Sequence, residues 1–275
     1  MKNFKLFLSF LLVVTFATAQ KSVLIKYKPK VGSTLKTTMG MNMDMNMMIG
    51  EKEMLTKMEM GFVFLYNNLE REKDVNKIEM IFDRVTMKMS NPGMTGSYDS
   101  DIKNPTDPFG KKIAEGFTGV IKKPVEMKIT TSGEFAEPFD LSKLFTNIPA
   151  VKAKELKEQM SNQFIHFPKK KVKIGESWTM NSSMNQIGTM ELTYTLKAIE
   201  KKTILLDVKG KIISQNNKAM EVLTANIGGT ATLDKKTGET LKSDMTMDLD
   251  MTVNVKGNPF KMNMKAIIDM AAVKI

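Results

Sequence analysis

The chain has 275 residues, a net charge of +11, 26 methionines, one histidine and no cysteine. With 42% hydrophobic and 26% charged residues it is no disordered chain, and the missing cysteines exclude disulfides, thiolate metal sites, a cysteine nucleophile and sulfur-linked lipid. Only Arg71 and Arg84 among 41 basic residues are arginine and aromatics are 7%, so forked phosphate and guanine readout and base stacking lack material, and nucleic acid is not an expected partner.

Residues 1–19 read as a signal peptide. Lys2 and Lys5 make a basic start, Leu6 to Phe16 are apolar apart from Ser9 and Thr15, and Ala17-Thr18-Ala19 gives the small-x-small cleavage pattern before Gln20. The apolar stretch, about 11 residues, is too short for a helix across a bilayer core of roughly 30 Å. The expectation is cleavage between Ala19 and Gln20 and a protein in the periplasm or secreted, not membrane-spanning.

After the leader, strand patterns dominate. A strand is expected over Val23–Lys28. From Thr37 to Met48, Met39, Met41, Met43, Met45 and Met47 alternate with Gly40, Asn42, Asp44 and Asn46, the period of a strand with every thioether on one face. Met54, Thr56, Met58, Met60, Phe62 and Phe64 repeat the alternation. A two-residue loop at Gly50-Glu51 sets Met47 against Met54, Met43 against Met58, Met41 against Met60 and Met39 against Phe62. Further strands are expected over Val75–Met89, Val120–Thr131 and Ala219–Leu233. Thr131-Ser132-Gly133-Glu134 and Lys236-Thr237-Gly238-Glu239 read as matching turns. Asp99, Asp101 and Asp107 lie in a turn-rich loop without EF-hand spacing. Leu141, Leu144, Phe145, Ile148, Val151, Leu156 and Met160 recur at helical steps, so a helical segment is expected over 141–164. His166, between aromatics, reads as structural, and Trp178 as a core anchor. A hairpin over Met190–Ile212 turns at Glu200-Lys201-Lys202 and pairs Leu196 with Leu206 and Tyr194 with Val208. The last hairpin, turning at Gly257-Asn258, sets Val255 against Phe260, Met251 against Met264 and Met245 against Met270.

The fold expected is therefore mainly β, with long antiparallel strands in curved sheets or half-barrels and a helical segment near the middle. The chain divides into an N-terminal β half (20–140), the helical segment and a C-terminal β half (165–275). Lys30-Val31-Gly32-Ser33-Thr34-Leu35 resembles Lys173-Ile174-Gly175-Glu176-Ser177-Trp178, which supports two similar halves; two unrelated uses of a β-turn are the alternative. A membrane barrel is disfavoured, because Asp248, Asp250, Lys261 and Lys265 on the polar face suit water and aromatic girdles are absent.

No catalytic constellation emerges, and no cofactor or resident metal site is assigned. The unusual feature is the methionine, flexible and polarizable, which lines adaptable apolar surfaces. Met41, Met43, Met58 and Met60, with Met247, Met251 and Met264 as their counterpart, are the candidate ligand-binding residues for a lipid or other hydrophobic small molecule. Thioethers also suit copper(I), and a Met-filled core without a ligand is the third reading.

The stretch L-I-K-Y-K-P-K-V-G at 24–32, the long hairpin, S-Y-D-S-D at 97–101 and H-F-P-K-K-K-V-K-I-G-E-S-W at 166–178 resemble an uncharacterised family of exported Bacteroidota proteins, a domain of unknown function. That resemblance implies an envelope location and no reaction.

Overall fold

The computed structural model describes residues 21–49, 52–102, 105–137, 164–183, 188–214, 220–255 and 258–275. Its strands are β1 (Ser22–Val23), β2 (Thr34–Ile49), β3 (Lys52–Glu72), β4 (Val75–Asn91), β5 (Met94–Asp99), β6 (Pro124–Thr130), β7 (Val172–Lys173), β8 (Ser177–Ser183), β9 (Gly188–Ile199), β10 (Thr203–Ser214), β11 (Met220–Asp234), β12 (Thr240–Val255) and β13 (Asn258–Lys274), with one helix, α1 (Pro108–Phe117), among the described residues. All but β1 and β7 join one 11-stranded sheet, ordered β5-β4-β3-β2-β13-β12-β11-β10-β9-β8, with β6 also on β4. Every ladder in it is antiparallel. The sheet is open, ending at β8 on one side and β5 and β6 on the other.

The first Met hairpin takes the expected register, with Met39 opposite Phe62, Met41 opposite Met60, Met43 opposite Met58 and Met47 opposite Met54. The ladder closes at Ile49–Lys52; Gly50 and Glu51 lie outside the described residues. The β9–β10 hairpin also pairs Leu196 with Leu206 and Tyr194 with Val208.

The last hairpin departs from its expected register. Val253 faces Phe260, Met251 faces Met262, Leu249 faces Met264 and Met245 faces Ile268, closing at Val255–Asn258. Turning at Gly257-Asn258 would make Pro259 a closing residue, whose N–H must bond back across the loop, and proline has none. One position earlier, Pro259 falls opposite Asn254, at the wide pair where no cross-strand N–H is required. The shift keeps parity, so the same residues stay inward.

Two further expectations are corrected. Val23–Lys28 is strand only at Ser22–Val23; beyond it, Tyr27 N–H bonds Thr131 O and Lys28 N–H bonds Thr237 O, so the segment bridges two turns instead of following one ladder. Helix also occurs at α1, where Asp107 caps Gly110 N–H at 2.8 Å and Pro108 fills the first turn, a start signal present in Asp107-Pro108. The helical expectation for 141–164 falls, apart from Phe164, outside the described residues.

The repeated K-x-G motifs build the same device twice. Gly32 (φ +77°) and Gly175 (φ +88°) sit in the left-handed region that glycine tolerates. Gly32 N–H bonds Asn68 O at 2.7 Å and Asn68 N–H returns to Ser33 O at 3.0 Å; Gly175 N–H bonds Leu196 O at 2.7 Å and Leu196 N–H returns to Glu176 O at 3.0 Å. A bulge follows immediately in each case, after Asn68 and after Leu196. The turns after β6 and β11 also match, and each receives the segment leading into the other half. Ser132 O accepts Phe167 N–H and Thr237 O accepts Lys28 N–H, both at 2.7 Å.

These crossing segments close one end of the sheet's inner face, the base. Ile78, Met80, Ile129, Leu196, Ile204, Leu206 and Leu233 are fully buried in this core.

Candidate functional site

The two Met hairpins, far apart in sequence, are neighbours in space. β13 pairs with β2, setting Met262 beside Met47, Met264 beside Met45, Ala266 beside Met43, Ile268 beside Met41 and Met270 beside Met39. Inner side chains therefore run in rows across β3, β2, β13 and β12. One row is Met58, Met43, Ala266 and Met247; the next is Met60, Met41, Ile268 and Met245. On the other side lie Thr56, Met45, Met264 and Leu249, then Met54, Met47, Met262 and Met251.

All seven expected residues lie on this one face. Met58, Met43 and Met247 share a row, Met60 and Met41 the adjacent one, and Met264 and Met251 the two beyond. Met251 is buried, whereas Met41, Met43, Met58, Met60, Met247 and Met264 are half-buried. Directly opposed side chains in an antiparallel ladder lie about 5 Å apart at Cβ, so the thioethers form a continuous surface.

Toward the base this surface runs into a cavity of about 110 Å³. Met39 and Met270, opposite each other on β2 and β13, form its wall together with Leu35, Phe64, Tyr66, Tyr27, Phe164 and Phe167. Its aromatics hold one another edge to face, with Tyr27–Phe164 centroids 5.6 Å apart and Tyr66–Phe164 6.0 Å. An apolar cavity on the order of 150 Å³ takes a benzene-sized group and stays dry, so this one fits the end of a ligand.

A few polar groups line the same space. Glu239 is 1% exposed; its carboxylate accepts the Thr237 hydroxyl at 2.7 Å and pairs with Lys274 at 3.1 Å. Burial, and then the charge of Glu239 and the neighbouring Tyr66, raises the Tyr27 pKa well above the usual phenol range. Burial raises Tyr66 likewise. Both phenols stay neutral at any physiological pH. Sequence reasoning missed this cavity because its walls come from separate segments of the chain, with no local pattern.

A second recess, about 490 Å³, touches Met41 and Met60 and is walled by Asn42, Glu59, Lys88, Asp99 and Asp107 together with Met87, Tyr98, Ile102 and Pro105. That lining is mixed in polarity. Asp99 and Asp101 are engaged by Arg84 at 2.6 and 3.2 Å, and Asp107 caps α1. Trp178 Nε1–H donates to His166 O at 2.8 Å and its ring stacks on Tyr194. Burial lowers the His166 pKa, with Glu134 opposing, so its ring is neutral at pH 7. No group of three or more His, Asp or Glu side chains that could hold a metal occurs among the described residues. No helix among them is long and apolar enough to cross a membrane.

The model of a family of unknown function, DUF6263, matches residues 73–151 and 149–257. No curated protein matches the sequence. Among solved structures, one describing lipid–protein interactions in lipovitellin is similar over 89% of this chain, with a TM-score of 0.55 and 9% identity. This chain spans only 25% of that one, and the likeness is one of fold. An outer membrane channel from Pseudomonas putida F1 aligns over 90% of this chain and 98% of its own at 9% identity, but the TM-score of 0.25 carries no structural argument.

Proposed function

The chain belongs to the family of unknown function DUF6263, and from that premise we propose that it is an exported, non-enzymatic binder of a hydrophobic, lipid-like ligand. The ligand lies along the Met face of β3, β2, β13 and β12, with its end in the base cavity. One observation carries the reading: Met39 and Met270, the inner pair next to Met41 and Ile268, also line the base cavity, so an apolar track leads from the half-buried Met rows into a partly open recess. Such a site suits an elongated apolar ligand held by area and shape. The fold likeness to lipovitellin, whose structure is described in terms of lipid–protein interactions, supports the same class of ligand.

Binding of a fluorescent acyl-chain probe tests this, using the combined Met→Leu substitution at Met41, Met43, Met58 and Met60. Leucine keeps volume and apolarity but removes sulfur. The probe affinity is expected to stay within about threefold, since each swap conserves volume. Loss of copper(I) affinity in the variant, with no probe binding by the wild type, would assign the face to copper instead. A wild type that binds neither leaves the methionines as core.

A further inference from the structure

The lysines fall into two populations. On the outer strand face many are paired across strands, as in Lys88–Glu59 (3.6 Å), Lys197–Asp207 (3.0 Å) and Lys211–Glu191 (3.1 Å), and those that are not, such as Lys57 and Lys209, stand singly among acidic neighbours like Asp44 and Asp207. At the base the pattern breaks. Segments 21–30, 169–173, 200–202 and 235–236 hold 12 lysines and one carboxylate, Glu200. None of these lysines has a carboxylate within 4 Å among the described residues.

The fold stitches these segments into one surface. Lys235 N–H bonds Lys202 O at 2.9 Å, Lys28 N–H bonds Thr237 O at 2.7 Å, and Ile174 N–H bonds Lys21 O at 3.3 Å. The nearby acids are tied into turns: Glu200 takes the Thr203 hydroxyl, and Asp234 takes the backbone of Lys236 and Thr237 and pairs with Lys274. The corresponding loops of the first half are net acidic, with Glu70, Glu72 and Asp74 against Arg71 and Lys73, and Glu134 and Glu137 after β6. The positive charge is therefore one-sided. Apolar side chains stand exposed within and beside it: Leu24 at 39%, Val31 at 49% and Ile275 at 69%, Ile275 being joined by its N–H to Thr34 O.

We propose that this base end docks on an anionic lipid bilayer, its lysines on the headgroups and Leu24 and Val31 at the interface. Lysine charge mixed with exposed aliphatic side chains is the chemistry of peripheral attachment to acidic membranes. A nucleic acid is disfavoured because these four segments contain no arginine and their one aromatic, Tyr27, is buried. The inference rests on charge and exposure and stands apart from the ligand reading. The two meet in space, since Tyr27, between Lys26 and Lys28, and Gly238, two residues after Lys236, both line the cavity.

Co-sedimentation of the purified protein with phosphatidylcholine vesicles, with and without phosphatidylglycerol, tests it. Binding is expected only with phosphatidylglycerol, and it weakens as salt rises. The variant K201Q/K202Q/K235Q/K236Q is expected to bind at least about thirtyfold more weakly, because each lysine near an anionic surface contributes measurably. The control K88Q/K211Q, on the outer strand face, is expected to stay within about threefold, because its lysines are already paired and lie toward the other end of the strands. Urea midpoints report that both variants are folded. No binding to phosphatidylglycerol vesicles by the wild type overturns the proposal. So does equal loss in both variants, or a base variant that keeps vesicle binding while losing affinity for a DNA duplex or an acidic protein.

Discussion

The inner face of the sheet changes character along its strands. On β3, Phe64, Tyr66 and Asn68 are buried, whereas Met54, Met58 and Met60 farther along are half-buried. On β2, Leu35 and Thr37 are buried and the five methionines that follow are half-buried. The base is filled mostly by branched and aromatic side chains with few accessible rotamers, which also fix the fully buried Met80 and Met127 among them. The other end carries unbranched thioethers, which reshape at low cost. The same alternation that makes both ends strand thus builds a rigid core at one and an adaptable surface at the other.

Substitutions can break this comparison. The largest effect is expected in the core: Leu206→Ala, at a fully buried site, should cost about 3 kcal/mol in urea unfolding. Met43→Ala, at a half-buried site, should cost about 1 kcal/mol or less. Equal costs would mean that the Met end is ordinary core.

The crossing turns come next. Gly238 has φ +67°, and a Cβ there would lie 2.3 Å from Lys26 O; Gly32, at φ +77°, has open space. Gly238→Ala should destabilise by more than about 2 kcal/mol and Gly32→Ala by about 1 kcal/mol, a gap that measures how firmly the 24–30 segment holds the base.

The Lys274 lock is expected to contribute somewhat less. Lys274→Met leaves the buried Glu239 carboxylate without its cation and should cost about 1–2 kcal/mol at pH 7. Burial alone would raise the Asp234 pKa, but the hydrogen bond from Lys274 and those from the backbone of Thr237 and Lys236 bring it below the ordinary carboxylate value. A lowered folded-state pKa gives stability that is present above the unfolded carboxylate value, about 3.9, and lost as pH falls through the folded one. The gap between wild type and Lys274→Met should therefore narrow below about pH 4. A gap of constant size would place the effect of Lys274 in its aliphatic packing.

How much of this was legible depended on whether one local rule decided the answer. For β2 and β3, alternation and a two-residue loop fix the same register, and Met41–Met60 and Met43–Met58 follow. For β12 and β13 the alternation fixed the faces, but the missing N–H of Pro259 moved the turn by one position. The β2–β13 pairing, which joins the two Met sets, was not legible because no turn connects those strands and the contact spans most of the chain. Nor was the base cavity, whose Tyr27, Phe64, Phe164 and Met270 come from four distant segments. Helix α1 was announced only by Asp107-Pro108, in a stretch whose other residues read as turn.

The central claim is that the Met end holds an apolar ligand while the base holds the fold. Native mass spectrometry of protein purified without detergent, compared with the Met41→Glu, Met60→Glu variant, tests both parts together. The account predicts an apolar adduct on the wild type that is absent from the variant, with a urea midpoint that falls but still reports a cooperative transition, since two carboxylates then face each other on a half-buried surface. A wild type without any adduct, or a variant that retains it, would contradict the account.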